Sequence, residues 1–202
     1  VLGMPDELAG VVHQRVREKL VSEPVEDLRI DFEDGYGIRP DDEEDGHAVK
    51  AAAEMAKAMA DGALPPFVGI RVKALTAEAH RRSIRTLDLF ITTLIETAGR
   101  LPDNFLITLP KVVLAQQVSV FADVLSRLEQ KLGIPGGTLR FEIMIESTRS
   151  IVAADGRFAM PLFLDAADGR LAGAHFGAYD HTASCGITSA NQDMLHQACD
   201  FA

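Results

Sequence analysis

A chain of 202 residues with 47% hydrophobic and 25% charged side chains can build one sizeable core and is not disordered. Its net charge of −10, without any basic run, argues against a nucleic-acid partner, because phosphate binding needs clustered Lys and Arg. No apolar stretch approaches the ~20 residues needed to cross a bilayer, so a soluble protein without a membrane partner is expected.

In chain order, residues 5–20 read as an amphipathic helix, and Leu28-Arg29-Ile30-Asp31-Phe32-Glu33 as a strand. The acidic run Asp41-Asp42-Glu43-Glu44-Asp45 reads as a solvated loop or helix start, followed by an Ala- and Met-rich helix over 47–60. After the Pro65-Pro66 break, Phe67–Val72 is a second strand. The spacing of Ile84, Leu87, Ile91, Leu94 and Ile95 predicts a helix over 77–98. Phe105–Leu109, closed by Pro110, is a third strand, and a helix follows over 113–132. The turn Pro135-Gly136-Gly137 introduces a fourth strand, Leu139–Ile145. Leu171–Gly177 is a weaker fifth, thinned by glycines.

Strands recurring every 30 to 40 residues, with helices between them, mean parallel βα units. An open doubly wound sheet would carry a phosphate-binding Gly-rich turn, and neither GxGxxG nor GxxxxGK[ST] is present. The chemically loaded residues sit instead at the C-terminal strand ends, where TIM barrels place active sites. The expected fold is therefore α/β, a TIM (β/α)8-type barrel forming one partial domain over residues 1–202. About five βα units are visible where a barrel has eight and usually needs about 250 residues. With Val1 rather than Met at its start, the chain is expected to be part of a larger protein.

Strand parity sorts the acids. Asp31 and Glu33 share one face, with Ile30 and Phe32 on the other; Glu142, Met144 and Glu146 share a face, with Glu146 at the strand end. Glu142 lies deeper and is expected to be a buried partner of Arg71 or Arg140. Arg71 and Lys111 bring positive charge to strand tips, and Asp180 lies just past Phe176-Gly177. The set Glu33, Asp34, Glu146 and Asp180 has the hard oxygen donors that Mg²⁺ (or Mn²⁺) prefers. An adjacent Arg suits bidentate binding of a carboxylate or enolate. Any one such acid could equally cap a helix or pair with a neighbouring Arg; their recurrence at one end of successive strands is what points to a site.

The stretches Asp31-Phe32-Glu33-Asp34-Gly35, Ile70-Arg71-Val72-Lys73, Leu109-Pro110-Lys111, Ile145-Glu146-Ser147 and Phe176-Gly177-Ala178-Tyr179-Asp180 follow an order that resembles the citrate lyase β-subunit-like branch of the HpcH/HpaI aldolases. That group belongs to the phosphoenolpyruvate/pyruvate-binding TIM barrels, and the acidic strand motif also looks like that of malate synthases. The resemblance spans roughly residues 27–190. It implies a cytoplasmic, homo-oligomeric, metal-dependent carbon–carbon lyase or aldolase working through an enolate. Its substrate would be a small 2-oxo or hydroxy carboxylic acid, free or as a CoA thioester. It further implies that Glu146 and Asp180 hold the metal and that Arg71, with Gly177, binds substrate. Glu33 and Asp34 would order metal-bound water and the pocket, and Lys111 would lie behind them, contributing to catalysis. Relatives typically carry Asp-Leu-Glu-Asp-Ala-Val, whereas Gly35-Tyr36-Gly37 and the acidic run follow here, and His181-Thr182 replaces the usual continuation after Asp180. No basic patch suited to a CoA 3′-phosphate is visible.

Several alternatives stand beside this reading. The altered motif edges also fit a catalytically silent barrel that binds carboxylates or serves assembly. His175 and His181 are candidate bases or pocket-wall residues. His196 and Asp200 are expected to share a helix face, while His13, His47 and His80 read as surface residues. A Schiff base at Lys111 or Lys73 needs a neutral amine, which nearby carboxylates oppose. Cys185 and Cys199, 14 apart without a CxxC pattern, read as free cytoplasmic thiols. Met4, Met55, Met59, Met144, Met160 and Met194 read as core filler.

Overall fold

Five short parallel strands, each followed by helix, carry the chain. The computed structural model describes residues 3, 5–200 and 202. Helix α1 (Asp6–Ser22) leads into β1 (Asp27–Asp31), α2 (Asp41–Ala60), β2 (Phe67–Arg71), α3 (His80–Ala98), β3 (Phe105–Leu109), α4 (Ala115–Leu132) and β4 (Phe141–Ile145). Two short helices, α5 (Thr148–Ile151) and α6 (Ala159–Ala166), precede β5 (Leu171–Phe176), and α7 (Ala178–Ser184) and α8 (Gln197–Asp200) follow it. The strands lie in sequence order, all parallel.

The outer face of the sheet is apolar because alternate positions point to it: Val68 and Ile70, Ile107 and Leu109, Phe141 and Ile143 are all fully buried. Helix α3 meets them with Leu87, Phe90, Ile91 and Leu94, and α4 with Val118, Phe121 and Leu125. Each such side chain contributes roughly 1.5–3 kcal/mol on burial. Ala48 and Ala52 let α2 approach closely. Gly99 and Gly133 end α3 and α4 in the left-handed conformation that glycine adopts without steric penalty.

The inner face is polar and concave. Arg29 on β1 donates from Nε to Glu142 Oε1 on β4 at 3.1 Å. A flat sheet would put those strands about 14 Å apart at ~4.8 Å per spacing, so the sheet is strongly curled. Thr108 Oγ1 donates to the same oxygen at 2.5 Å, and His175 Nδ1 lies 3.6 Å from it. Burial opposes ionisation of Glu142, yet His175, Thr108 and Arg29 together pull its carboxyl down to about 2. The deep acid is thus paired as expected, but with Arg29 rather than Arg71 or Arg140.

Among the described residues, β1 and β5 each pair with one strand only, and Ala172–His175 on β5 are exposed. The architecture is that of a partial TIM-like barrel. No helix among the described residues is long and apolar enough to cross a membrane.

Some local expectations need correction. Strand β1 ends at Asp31, so Glu33 and Asp34 stand in the following turn. The acidic run forms the first turn of α2, where negative charge is favoured, but Glu44 is fully buried rather than solvated. His196 precedes α8 and shares no helix with Asp200. Met194 is 59% exposed, unlike Met55 and Met144, which are buried; Met4 lies outside the described residues. Cys185 and Cys199 are free thiols.

Candidate active site

The C-terminal ends of all five strands contribute to one acidic mouth. At its base, Asp31 and Arg71, register partners on β1 and β2, form a two-pronged ion pair. Arg71 Nε donates to Oδ1 at 2.7 Å and Nη2 to Oδ2 at 2.6 Å. Asp31 also accepts from the amides of Glu33 (2.9 Å) and Gly35 (2.8 Å), which turns the chain out of the strand. A Cβ at Gly35 would sit 2.6 Å from Asp31 Oδ2, so any larger residue would have to displace that carboxylate. The remaining Arg71 nitrogen, Nη1, is 3.6 Å from Met144 Sδ and 3.7 Å from Glu33 Oε2. The guanidinium is therefore oriented from behind, with one edge turned to the mouth.

Above this pair, Lys111 occupies the centre of the acids. Its Nζ is 2.5 Å from Asp180 Oδ2, 2.8 Å from Asp34 Oδ2, 3.5 Å from Glu33 Oε1 and 3.8 Å from Glu146 Oε2. Burial alone would lower its pKa, but Asp180 and Asp34 hold the ammonium well above the ordinary lysine value. A Schiff base at Lys111 is thereby disfavoured, since its nucleophile would have to be the neutral amine. Lys111 has φ 54°, a left-handed conformation uncommon outside glycine. With it, the Lys111 amide donates to Glu146 Oε1 while the side chain turns into the mouth. The sequence placed Lys111 behind the acids; the structure puts it between them.

Glu146 is 3% exposed, and its Oε2 is buried with no hydrogen-bond partner. Burial, reinforced by the neighbouring Asp180 carboxyl, pushes its pKa up to about 7. Burial also raises Glu33. Burial would raise Asp180, but its hydrogen bonds to Lys111 and Glu146, with the nearby Lys111 and Arg71 charges, together hold it low. Gly177 starts α7 and donates its amide to Ile145 O at 2.9 Å. A Cβ on it would lie 2.8 Å from Glu146 Cβ and 3.1 Å from Oε2. Gly177→Ala is therefore expected to displace Glu146 and weaken divalent-ion binding about 10- to 100-fold by calorimetry. Unchanged affinity would show that Glu146 is not held in place by this contact.

All the sequence-selected residues (Glu33, Asp34, Arg71, Lys111, Glu146, Gly177 and Asp180) converge on this mouth. Among the described residues, no three His, Cys, Asp or Glu side chains already stand in metal-ligand geometry. The unpartnered Glu146 oxygen and the surrounding carboxylates nonetheless suit a hard divalent cation. His175 lies deeper, beside Glu142. His181 is buried against Phe176 and bonded through Nε2 to Ala198 O at 3.0 Å, away from the acids. The Asp31–Arg71 pair and the role of Lys73, whose Nζ reaches Phe32 O at 2.6 Å, were not foreseen. Parity works within one strand; the register that sets Asp31 beside Arg71 is a property of the fold.

Solved structures share this fold. Malate synthase of Haloferax volcanii in a lead(II) complex matches at TM-score 0.58 and 16% identity, over 75% of this chain and 41% of that one. The same enzyme in a magnesium/glyoxylate complex matches at 0.54 and 16%, over 73% and 41%. A citrate lyase from Burkholderia xenovorans LB400 matches at 0.59 and 18%, over 92% and 51%. The chain thus spans between two fifths and about half of the length of these structures, and identities this low carry the fold alone. No curated protein matches the chain. The profile of a family described as a domain of unknown function, DUF6986, matches residues 1–202, and the chain belongs to that family.

Proposed function

We propose that this chain carries the acidic half of the active site of a divalent-metal-dependent carbon–carbon lyase or condensing enzyme. It would act on a small 2-oxo or hydroxy carboxylic acid, free or as a CoA thioester, through an enolate. The observation that carries this reading is the buried Glu146 Oε2, which accepts no hydrogen bond and has only the Lys111 ammonium near it at 3.8 Å, in a mouth of four carboxylates beside an oriented arginine. The magnesium/glyoxylate complex of a structure with this fold supports the choice of metal and substrate class. Glu146 and Asp180 would hold Mg²⁺ or Mn²⁺, with Glu33 and Asp34 around them. A bound divalent ion supplies Lewis acidity at a carbonyl oxygen. Arg71, fixed by Asp31, would bind the substrate carboxylate and counter charge growing on the enolate oxygen. Further βα units would close the barrel against the free edges of β1 and β5.

A second reading, a catalytically silent barrel that binds carboxylates, is favoured by one observation. Lys111 already satisfies Asp34 and Asp180 without an ion. A turnover screen with Mg²⁺ discriminates the two, using malyl-, citramalyl- and citryl-type thioesters and free 2-oxo acids. Cleavage or condensation of any of these supports the enzyme; bound Mg²⁺ and pyruvate with no turnover supports the silent barrel.

A further inference from the structure

We propose that Lys73, charge-compensated by the fully buried Glu44, is a positioning residue that fixes the Glu33–Asp34 turn in the mouth. This rests on reading the mouth as a divalent-ion site.

Lys73 stands two residues past the end of β2, and its ammonium makes two hydrogen bonds to backbone carbonyls and one ion pair. It donates to Phe32 O at 2.6 Å and Gly37 O at 3.3 Å, and lies 2.8 Å from Glu44 Oε2. The two carbonyls bracket residues 33–36, so one side chain pins both ends of the turn that presents Glu33 and Asp34. The Tyr36 ring packs on Phe32 and lies 5.0 Å from the Lys73 ammonium and 4.8 Å from the Arg39 guanidinium.

Glu44 explains why the lysine can be buried there. It is 0% exposed, although it belongs to an acidic run. Thr86 Oγ1 donates to its Oε1 at 2.6 Å, and Arg82 Nε lies 3.5 Å away. The first turn of α2 is thus anchored to α3, and its one inward acid faces Lys73. The acidic run and the Gly35-Tyr36-Gly37 turn therefore act together, as a brace for the strand-end acids.

Lys73→Met alone leaves the buried Glu44 with only the more distant Arg82 as a counter-charge, which can unfold the protein for reasons unrelated to the mouth. The informative variant is Lys73→Met with Glu44→Gln, which removes both charges and keeps the Thr86 hydrogen bond. Two measurements are made at a temperature where thermal melting shows the variant folded. Amide exchange at Gly35, Tyr36 and Gly37, which are hydrogen-bonded to Asp31 and Glu33, is expected to accelerate at least about tenfold. Mn²⁺ affinity by calorimetry is expected to fall about 10- to 100-fold, as for lost outer partners of metal ligands. Wild-type exchange rates, or wild-type Mn²⁺ affinity in the folded double variant, overturn the positioning role. Failure of the wild-type protein itself to bind Mn²⁺ overturns the metal-site reading and this role with it.

Discussion

Replacing Glu146 and Asp180 together by Ala is expected to abolish Mg²⁺ or Mn²⁺ binding measured by calorimetry. These two carboxyls are the ones that compete for charge. Glu146 is buried and raised to about 7, while Asp180 is held ionised by Lys111. A buried carboxylate oxygen that accepts no hydrogen bond costs free energy that a directly bound cation would offset. The sign of the pH dependence follows. Glu146 ionises near pH 4.5 in the unfolded chain and near 7 in the fold. The metal-free protein therefore binds the extra proton and loses stability as pH rises between those values. Metal binding must displace that proton, so affinity is expected to weaken about tenfold per pH unit below 7. In the double variant both the binding and this slope should vanish. Wild-type affinity in the variant would remove Glu146 and Asp180 from the metal site.

Arg71→Lys is expected to lower affinity for pyruvate or oxalate about 10- to 100-fold in the presence of Mg²⁺. On any substrate found by the screen, kcat should fall about 10²- to 10³-fold, as when one donor to a developing oxyanion is removed. The charge is conserved in this variant, so the loss would report geometry. Arg71 meets Asp31 through two parallel bonds at 2.7 and 2.6 Å, and an ammonium cannot reproduce that fork while also offering a planar edge to a ligand. Asp31 keeps the Glu33 and Gly35 amides as partners, so a melting temperature close to wild type is expected. Unchanged affinity and kcat would reduce Arg71 to a structural partner of Asp31.

Much of the scaffold was legible because punctuation and periodicity agreed. Pro65-Pro66 and Pro110 bound β2 and β3 closely, and Phe105–Leu109 coincides with the expected strand. Parity correctly separated Phe32, which is buried in the core, from Asp31 and Glu33. What it could not see were contacts made across the curl of the sheet. The partner of Glu142 is Arg29, three strands away, and a register shift at Phe141/Glu142 changes how β4 meets β5. The end of β1 was overextended because the Asp31 side chain takes amides that a strand would have paired. Glu44 is buried against Lys73, Arg82 and Thr86, 29 to 42 residues later in the chain, and no local charge pattern encodes those contacts. Helix α6 is apolar over most of its eight residues and contains Pro161, so it carries no helical period to read.

The most direct test of the metal-centred mouth is a crystal of the full-length protein soaked with Mg²⁺ and oxalate, an enolate mimic. The expected result is an ion between Glu146 and Asp180, oxalate reaching Arg71, and Lys111 Nζ moved from its present place between Asp34 and Asp180. An ion bound elsewhere, or a mouth still filled by Lys111 at saturating Mg²⁺ and oxalate, would contradict it.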